Sequence, residues 1–380
     1  MNERVDDIRD LRVLIWACGK QERFASPHVY REAKKQGLNV DITFDRSNPQ
    51  LMAGHVRNLI AANNKPHWIF NFAIQARMKR YYEWLSRQEI KQLWWYPDQC
   101  ESSRIKMWNT LKGKPDAVVF SILHAAQYFK HHAPHVLWVP QYFDAERCKR
   151  GGQLPPRLDP RKPIYDLCFI GACDARRKRW VSKLVRKFNC NFSTHAMGKL
   201  NEVRGWDMAE AYAQSKIAFN IQREIFLRPG PFITSNRVYN AMGSGCFFIN
   251  HYVNQMELLW EEGVHCVTYN DSYEELDAKI RFWLAPENEE KREEIARAGQ
   301  QDILTYHTLE RRIPQYWRIM QAIQNGETSE LQQLSFEHRL ECESTINELP
   351  KMEYPDKPTN RLQELRDMRR GRKGKFVTRN

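Results

Sequence analysis

The feature that most constrains the fold is a repeated alternation of short apolar runs with longer amphipathic stretches. Short runs rich in β-branched and aromatic residues predict β-strands, and the stretches between them, such as 27–36 and 77–87, predict helices. Alternation of this kind implies a parallel sheet with helices on both faces. In the first 145 residues the predicted strands are 12–18, 39–44, 67–72, 92–96, 117–121 and 136–139.

A segment rich in Gly and Pro, residues 150–163, interrupts the alternation, which then starts again. The sequence therefore predicts two doubly wound α/β domains joined by a linker, followed by a partly helical extension and a basic tail. In this second part the predicted strands are 166–170, 216–221, 246–250 and 266–269, and the predicted helices are 175–188, 273–284, 289–306 and 309–324. The predicted units are residues 1–148, the linker 149–163, residues 164–325, and the extension 326–380.

The composition supports two globular domains. The chain has 380 residues, of which 42% are hydrophobic and 28% charged, and this excludes a disordered chain. No run approaches the ~18 consecutive apolar residues of a membrane span. Residues 1–7 lack the order of a signal peptide, so we expect a cytoplasmic protein without a membrane span. The sequence does not indicate the oligomeric state.

The net charge is +13 and is concentrated at the end of the chain. The last twenty residues contain eight Lys or Arg and two acidic residues. This balance favours an anionic partner, namely a phosphorylated small molecule, a nucleic acid or a membrane surface. The residues expected to contact nucleic acid are Arg369, Arg370, Arg372, Lys373 and Lys375.

One stretch of the second domain predicts a phosphate site. Ser235 and Asn236 are residue types that cap helices, and Gly243 marks the end of the short helix that they begin. A helix N-terminus presents free N–H groups and a partial positive charge, so with Arg237 beside it the position suits a diphosphate. An ordinary capped helix with a surface arginine is the alternative.

In each domain, the turn after the first strand contains a glycine and is a further candidate for phosphate binding. Gly171 precedes four cations, 176–179, in the opening turn of a helix, where they either face a phosphate or form a solvated face. Gly19 follows the first strand of the chain as a single glycine. Because neither G-x-G-x-x-G nor G-x-x-x-x-G-K-[ST] occurs, a nicotinamide enzyme or a P-loop NTPase is disfavoured.

Asp98 lies just past a predicted buried strand, where side chains reach a cleft between two such domains. It is a candidate general base toward an acceptor hydroxyl, and the alternative is a helix cap. His124 and Asp144 occupy comparable positions with weaker claims.

No metal site is predicted. The nine cysteines form no C-x-x-C pair and are expected to be reduced, buried thiols. His131, His132 and His135 lack a neighbouring set of ligands, so we interpret them as exposed histidines.

Several motifs of the second domain, in order and spacing, resemble a known family. Together they are similar to the carboxyl half of GT-B glycosyltransferases of the spore-maturation (CgeB-like) group, over roughly residues 160–325. The motifs are 212–221, 235–245, 269–276, 296–299 and 306–308, with 138–144 similar to the segment that closes the first half.

The resemblance implies two Rossmann-like domains facing each other across a cleft, the GT-B fold. It implies that the first domain holds the acceptor and the second a nucleotide-sugar donor, whose diphosphate would contact Gly171, Ser235, Asn236 and Arg237. Arg223 would lie by the phosphates or the sugar.

The resemblance also implies that Met197, Gly198 and Lys199 border the nucleobase, and Gly19 completes the predicted donor-binding set. Related transferases have a ribose-binding Glu where this chain has Asn240, and Phe232 occupies the partner position eight residues earlier. An amide loses the bidentate grip of a carboxylate on two hydroxyls. The identity of the donor and the retaining or inverting outcome therefore stay open.

These observations predict a metal-independent glycosyltransferase with a UDP-linked sugar as co-substrate and no other cofactor. The basic tail and the twelve tryptophans favour nucleic acid as the acceptor, for example a hydroxymethylated base in DNA modified by a phage-encoded enzyme in the host cytoplasm. Protein, polysaccharide and small-molecule acceptors are alternatives. A second hypothesis, motivated by Asn240 and Phe232, is a non-catalytic nucleic-acid-binding protein on a degenerate transferase scaffold.

Overall fold

The computed structural model describes residues 4–17, 25–44, 48–97, 102–195, 203–222, 235–253 and 256–331. The first domain contains a six-stranded parallel sheet with the order β2-β1-β3-β4-β5-β6. Its strands are β1 Val13–Trp16, β2 Val40–Thr43, β3 Trp68–Asn71, β4 Lys91–Tyr96, β5 Ala117–Phe120 and β6 His135–Trp138.

Helices connect these strands and cover both faces of the sheet. A 3-10 turn, Ala76–Met78, precedes the third of them. The helices are α1 Ala25–Lys35, α2 Pro49–Ala61, α3 Lys79–Arg87, α4 Ser102–Thr110, α5 Leu123–Tyr128 and α6 Ala145–Cys148.

The second domain contains a five-stranded parallel sheet with the order β11-β10-β9-β7-β8. Its strands are β7 Tyr165–Ala172, β8 Cys190–His195, β9 Ser215–Phe219, β10 Phe247–His251 and β11 Val267–Tyr269. The helices of this half are α7 Ala175–Val185, α8 Gly205–Ala213, α9 Asn236–Gly243, α10 Tyr273–Leu284, α11 Glu289–Tyr306 and α12 Leu309–Asn325.

The predicted fold class, two doubly wound α/β domains, is confirmed. Strand β8 was not predicted, because Cys190–His195 includes Asn191, Ser193 and Thr194. It lies at an edge of the sheet, where residues 190–193 are half-buried. An edge strand needs no continuous apolar run, so it leaves little signal in the sequence.

Helix α12 corrects the predicted extent of the second domain. The sequence analysis places it there, but its apolar face packs on the first sheet, where Phe70 lies 5.2 Å from Tyr316 and 6.2 Å from Trp317 between ring centroids. Lys91 also donates to the carbonyl of Ile323 at 2.9 Å. The reason is that helices are needed on both faces of the first sheet, and α12 covers one face together with α1.

The chain crosses between the domains twice, and the two crossings pair side by side. The amide of Phe143 donates to His307 O at 2.7 Å, and the amide of Leu309 donates to Phe143 O at 2.9 Å. The ring of Phe143 occupies the space where a side chain at Gly243 would lie, 2.6 Å from an added Cβ. The first crossing therefore packs directly against the end of α9.

The predicted linker is anchored on the second domain. Arg157 donates to the carbonyls of Ala213 at 3.0 Å and Ser215 at 2.6 Å, and it pairs with Glu293 at 3.0 Å. Within the described ranges, none of the helices is long and apolar enough to cross a membrane.

Candidate active site

The second sheet reverses its winding between β7 and β9. Strand β8 lies on one side of β7, and β9, β10 and β11 lie on the other. Open α/β sheets bind ligands at the carboxyl ends of the strands beside such a switch point. Gly171 and Ala172 end β7, and Asn220 follows β9. These positions define the candidate donor site.

Helix α9 begins beside this point, as the sequence predicts. Ser235 is its N-cap, and its hydroxyl accepts from the amide of Arg237 at 3.3 Å. The first turn contains no acidic residue, so the positive end of the helix is not neutralised from within. Asn236 is exposed, and Asn240 is half-buried one turn later, so both amides lie on the same face of α9.

Arg237 occupies a different place from the one expected. Its guanidinium is buried within the second domain instead of lying on the surface of the site. Nε donates to Ile170 O at 2.7 Å, and Nη1 donates to the side-chain oxygen of Asn220. The guanidinium also lies 4.5 Å from the ring centroid of Phe169. Arg237 therefore ties β7, β9 and α9 together and forms part of the floor of the site.

Gly171 makes room for this arrangement. A Cβ added at Gly171 would lie 2.0 Å from Nη2 of Arg237, far closer than two such atoms can approach. The glycine predicted to approach a diphosphate thus also allows the arginine to pass beneath the end of β7.

The buried charge of Arg237 has no anionic partner among the described residues. Its hydrogen-bond partners, Ile170 O, Asn220 and Tyr212, are neutral, and burial lowers the pKa of the guanidinium. A buried cation without a counter-charge is costly, so an anion bound at this point would be stabilised.

Two more buried arginines of α7 lie at the same edge. Arg177 donates to Ile221 O at 2.6 Å and Ala172 O at 2.8 Å, and its amide donates to the side chain of Asp174, the N-cap of α7. Arg176 forms an ion pair with Asp271 and stacks 4.4 Å from the ring centroid of Trp180. Part of the predicted basic turn is therefore built into the edge of the site.

His251 ends β10 next to this ion pair. Its Nε2 lies 3.1 Å from Asp271, and its Nδ1 lies 3.0 Å from Tyr252 O. Burial, with the nearby charge of Arg176, lowers the pKa of His251 to about 4. The imidazole is therefore neutral at neutral pH, and Arg176 supplies the positive charge opposite Asp271.

The other predicted site residues lie outside the described residues. They are Gly19, Asp98, Gly198, Arg223, Arg369, Arg370, Arg372, Lys373 and Lys375. Their predicted roles stay predictions.

The first sheet has its own switch point, between β1 and β3, because β2 lies on one side of β1 and β3 to β6 lie on the other. His28, in the first turns of α1, lies at this carboxyl edge. Its Nδ1 is 2.9 Å from the carboxylate of Asp144 and 3.0 Å from Nη2 of Arg31. When Nδ1 donates to Asp144, Nε2 is the nitrogen that can accept a proton.

The sequence analysis missed His28, although it named Asp144. The two residues are far apart in the chain and meet because the first interdomain crossing passes beside α1. A lone histidine in an amphipathic helix carries no local signal of this contact.

The three histidines near β6 do not form a ligand cluster. His132 contacts Asn109 at 2.9 Å and packs edge-on against Phe129, and burial lowers the pKa values of His132 and His135. His131 is exposed. In the portion of the chain that the structure describes, no three His, Cys, Asp or Glu side chains gather as metal ligands.

The two parallel sheets with their flanking helices match the two-domain, Rossmann-like GT-B fold, which several known structures share. The chain is similar to Anabaena HepE in complex with UDP and glucose, at 10% identity over 84% of this chain and 98% of HepE, with a TM-score of 0.51. A glycosyltransferase from Rickettsia africae is similar at 12% identity over 83% of this chain and 99% of its own, with a TM-score of 0.55. The sucrose-phosphate synthase of Thermosynechococcus elongatus is similar at 11% identity over 81% and 98%, with a TM-score of 0.52.

Residues 165–318 match the family model described as "Glycosyl transferase-like". This match covers the second domain and the first part of α12, and it includes the whole described part of the candidate donor site. No curated protein sequence matches the chain.

Proposed function

We propose that the protein transfers a sugar from a nucleoside diphosphate sugar to a hydroxyl group. The observation that carries the proposal is the buried charge of Arg237 at the β7/β9 switch point, for which the described part of the chain offers no anionic partner. This charge lies beneath the N-terminus of α9, in a domain that matches a glycosyltransferase-like model. A diphosphate supplies the missing anion.

The amides at the start of α9 and the nearby arginines also suit the chemistry of sugar transfer. Breaking the bond between the sugar and the diphosphate leaves negative charge on the leaving group, and fixed dipoles and cations stabilise such charge in the transition state. The amides of the first turn of α9, with Arg176, Arg177 and Arg237 at the edge, provide both. We therefore propose a metal-independent reaction.

The donor that we propose is UDP-linked. HepE, whose fold is similar, was crystallised with UDP and glucose. A CgeB-like relationship is part of the same proposal and rests on the motifs from 212 to 308. Asn240, exposed in part on α9, would meet the ribose through an amide where that group has a carboxylate.

The general base belongs at the carboxyl edge of the first sheet, opposite the donor. Asp98 is the candidate predicted from sequence. Among the described residues, His28 is the candidate that the structure adds, since Asp144 orients its ring.

The donor proposal is tested by binding. With UDP-glucose at 100 times its dissociation constant, we expect the free energy of unfolding to rise by about 2.7 kcal/mol, with slow release of UDP. In Arg237→Met the affinity should fall by about 10-fold or more, because the buried cation is lost. The free energy of unfolding without ligand should also fall, by about 1–3 kcal/mol, because Ile170 O and the side-chain oxygen of Asn220 lose their buried donor.

Arg186→Met is the matched control, since Arg186 is exposed at the other end of α7. Thermal unfolding and calorimetry with a panel of nucleotide sugars give the result. Equal donor affinity in the wild type and in Arg237→Met would contradict the proposed role of Arg237. If no nucleotide sugar binds at all, the transferase proposal fails.

Nucleic acid as the acceptor remains part of the proposal and rests on the basic tail. The aromatic residues add no support, because Trp16, Trp68, Trp94, Trp108 and Trp260 are fully buried in cores and are unavailable for stacking on bases.

The tail is tested by deletion. If residues 361–380 bind DNA, their removal should make the dependence of log affinity on log salt less steep by about 0.9 for each lost phosphate contact. Fluorescence anisotropy with a DNA duplex at 50–200 mM salt measures this slope. An unchanged slope would show that residues 361–380 make no phosphate contacts with DNA. Binding of DNA without any response to nucleotide sugars would instead favour the non-catalytic alternative.

A further inference from the structure

A cationic segment lies at the switch point of the first sheet, on the acceptor side of the cleft. The chain leaves β3 at Asn71, turns through Ala76–Met78 and enters α3 at Lys79. Within residues 72–82 there is no acidic residue, and Arg77, Lys79 and Arg80 are all exposed. We call residues 73–80 the cationic turn.

Buried polar groups hold the cationic turn in place. Asn71 accepts from the amide of Ala73 at 2.8 Å, and the hydroxyl of Tyr82 accepts from the amide of Gln75 at 3.1 Å. Asn71 and Tyr82 are fully buried, and Met78 anchors the turn in the core. The three cations therefore project from a fixed backbone.

The positions of the cations do not serve the stability of α3. Lys79 and Arg80 lie in the first turn, where positive charge opposes the helix dipole at a cost of about 0.3–1 kcal/mol each. Among the described residues none of the three cations forms an ion pair, and Glu83 of the same helix pairs with Lys114 at 2.8 Å. Within the described ranges, the hydrogen-bond partner of Arg77 is the neutral side chain of Gln75, at 2.7 Å.

A second observation points to a ligand at the same place. Tyr81 is 5% exposed, and its hydroxyl has no hydrogen-bond partner among the described residues. Its ring packs edge-on against Trp16, the last residue of β1, with 5.4 Å between centroids. Burial raises the pKa of Tyr81, so its hydroxyl stays a neutral donor. A buried donor without a partner among the described residues thus lies beside the carboxyl end of β1, one of the two strands that form the switch point.

We propose that the acceptor carries a phosphate group and that Arg77, Lys79 and Arg80 bind it beside β3. Phosphate oxygens accept forked hydrogen bonds from arginine and attract lysine as a point charge. The accepting hydroxyl would then face the donor across the cleft. This inference rests on the proposed transfer to a hydroxyl and defines the class of acceptor.

Two sources supply the same chemistry, a phosphorylated sugar and the phosphodiester of a nucleic acid strand. The probes are therefore glucose 6-phosphate and a single-stranded DNA octamer, with unphosphorylated glucose as the blank. Calorimetry in the presence of UDP measures binding of each probe to the full chain.

The test compares two triple variants that remove the same charge. R77Q/K79Q/R80Q should weaken binding of at least one phosphate probe by about 10-fold or more. If the octamer binds, this variant should also make its salt slope less steep by about 2. R87Q/K112Q/K130Q should bind like the wild type, because these exposed cations lie at the opposite edge of the sheet. Arg87 ends α3, and Lys112 and Lys130 lie two residues beyond α4 and α5.

Urea unfolding shows whether weaker phosphate binding by a variant results from a loss of stability. R77Q/K79Q/R80Q should unfold at the same urea concentration as the wild type or a higher one, since it relieves α3. A wild type that binds neither probe, or two triple variants that bind equally, would overturn the inference. Donor binding by the wild type is measured separately. Its absence would refute the proposed function, whereas its presence without phosphate binding would refute only the class of acceptor.

Discussion

Gly171→Ala is expected to lower the free energy of unfolding by about 2–4 kcal/mol, because the new methyl group displaces a buried guanidinium. The added Cβ would lie 2.0 Å from Nη2 of Arg237. The guanidinium has little room to retreat, since Ile170 O and Asn220 hold it and the ring of Phe169 lies 4.5 Å away. Moving it would leave those acceptors without a donor. Urea unfolding measures the change.

The same substitution at Gly54 is the control. Gly54 lies inside α2, and a Cβ added there meets no atom within 4 Å. Alanine forms helix better than glycine, so Gly54→Ala should raise the free energy of unfolding by about 0.5–1 kcal/mol. A Gly171→Ala protein as stable as the wild type would show that Arg237 moves aside freely. The floor of the donor site would then not be fixed in the way described.

The fold follows from local patterns because strands buried on both faces must be apolar along their whole length. Phe247–His251 is fully buried and gives such a signal, whereas the polar edge strand Cys190–His195 does not. Which of the two sheets α12 covers could not be predicted from the sequence, for a different reason. Its apolar face is evident from Ile313, Tyr316 and Trp317, but any sheet face would satisfy it, and only the chain crossing decides which one it covers.

For the candidate site, too, local features could be predicted from the sequence, whereas contacts between distant parts of the chain could not. The cap at Ser235 was predictable, because a capping hydroxyl bonds to an amide two residues later in the chain. The buried position of the Arg237 side chain was not predictable. It depends on the space left by Gly171, at the end of β7, and on Asn220, which follows β9. The pairing of His28 with Asp144 depends likewise on where the first crossing passes.

Replacing the general base is expected to lower kcat by about 100-fold to 10,000-fold. If His28 is the base, His28→Gln should cause this loss of kcat and leave the affinity for UDP-glucose unchanged. Initial rates of transfer at saturating UDP-glucose give kcat for each variant.

Three further variants make the comparison decisive. Asp98→Asn tests the base predicted from sequence, and His131→Gln is the control, since His131 is exposed and lies outside the candidate site. Asp144→Asn keeps an oxygen that can cap α6, where Asp144 accepts from the amide of Arg147 at 3.2 Å, but it removes the charge beside His28. If Asp144 orients the base, this variant should lose part of kcat with stability largely retained. Normal kcat in both His28→Gln and Asp144→Asn, with a 100-fold loss in Asp98→Asn, would assign the proton transfer to Asp98. The His28–Asp144 contact would then serve only to hold α1 against the interdomain crossing.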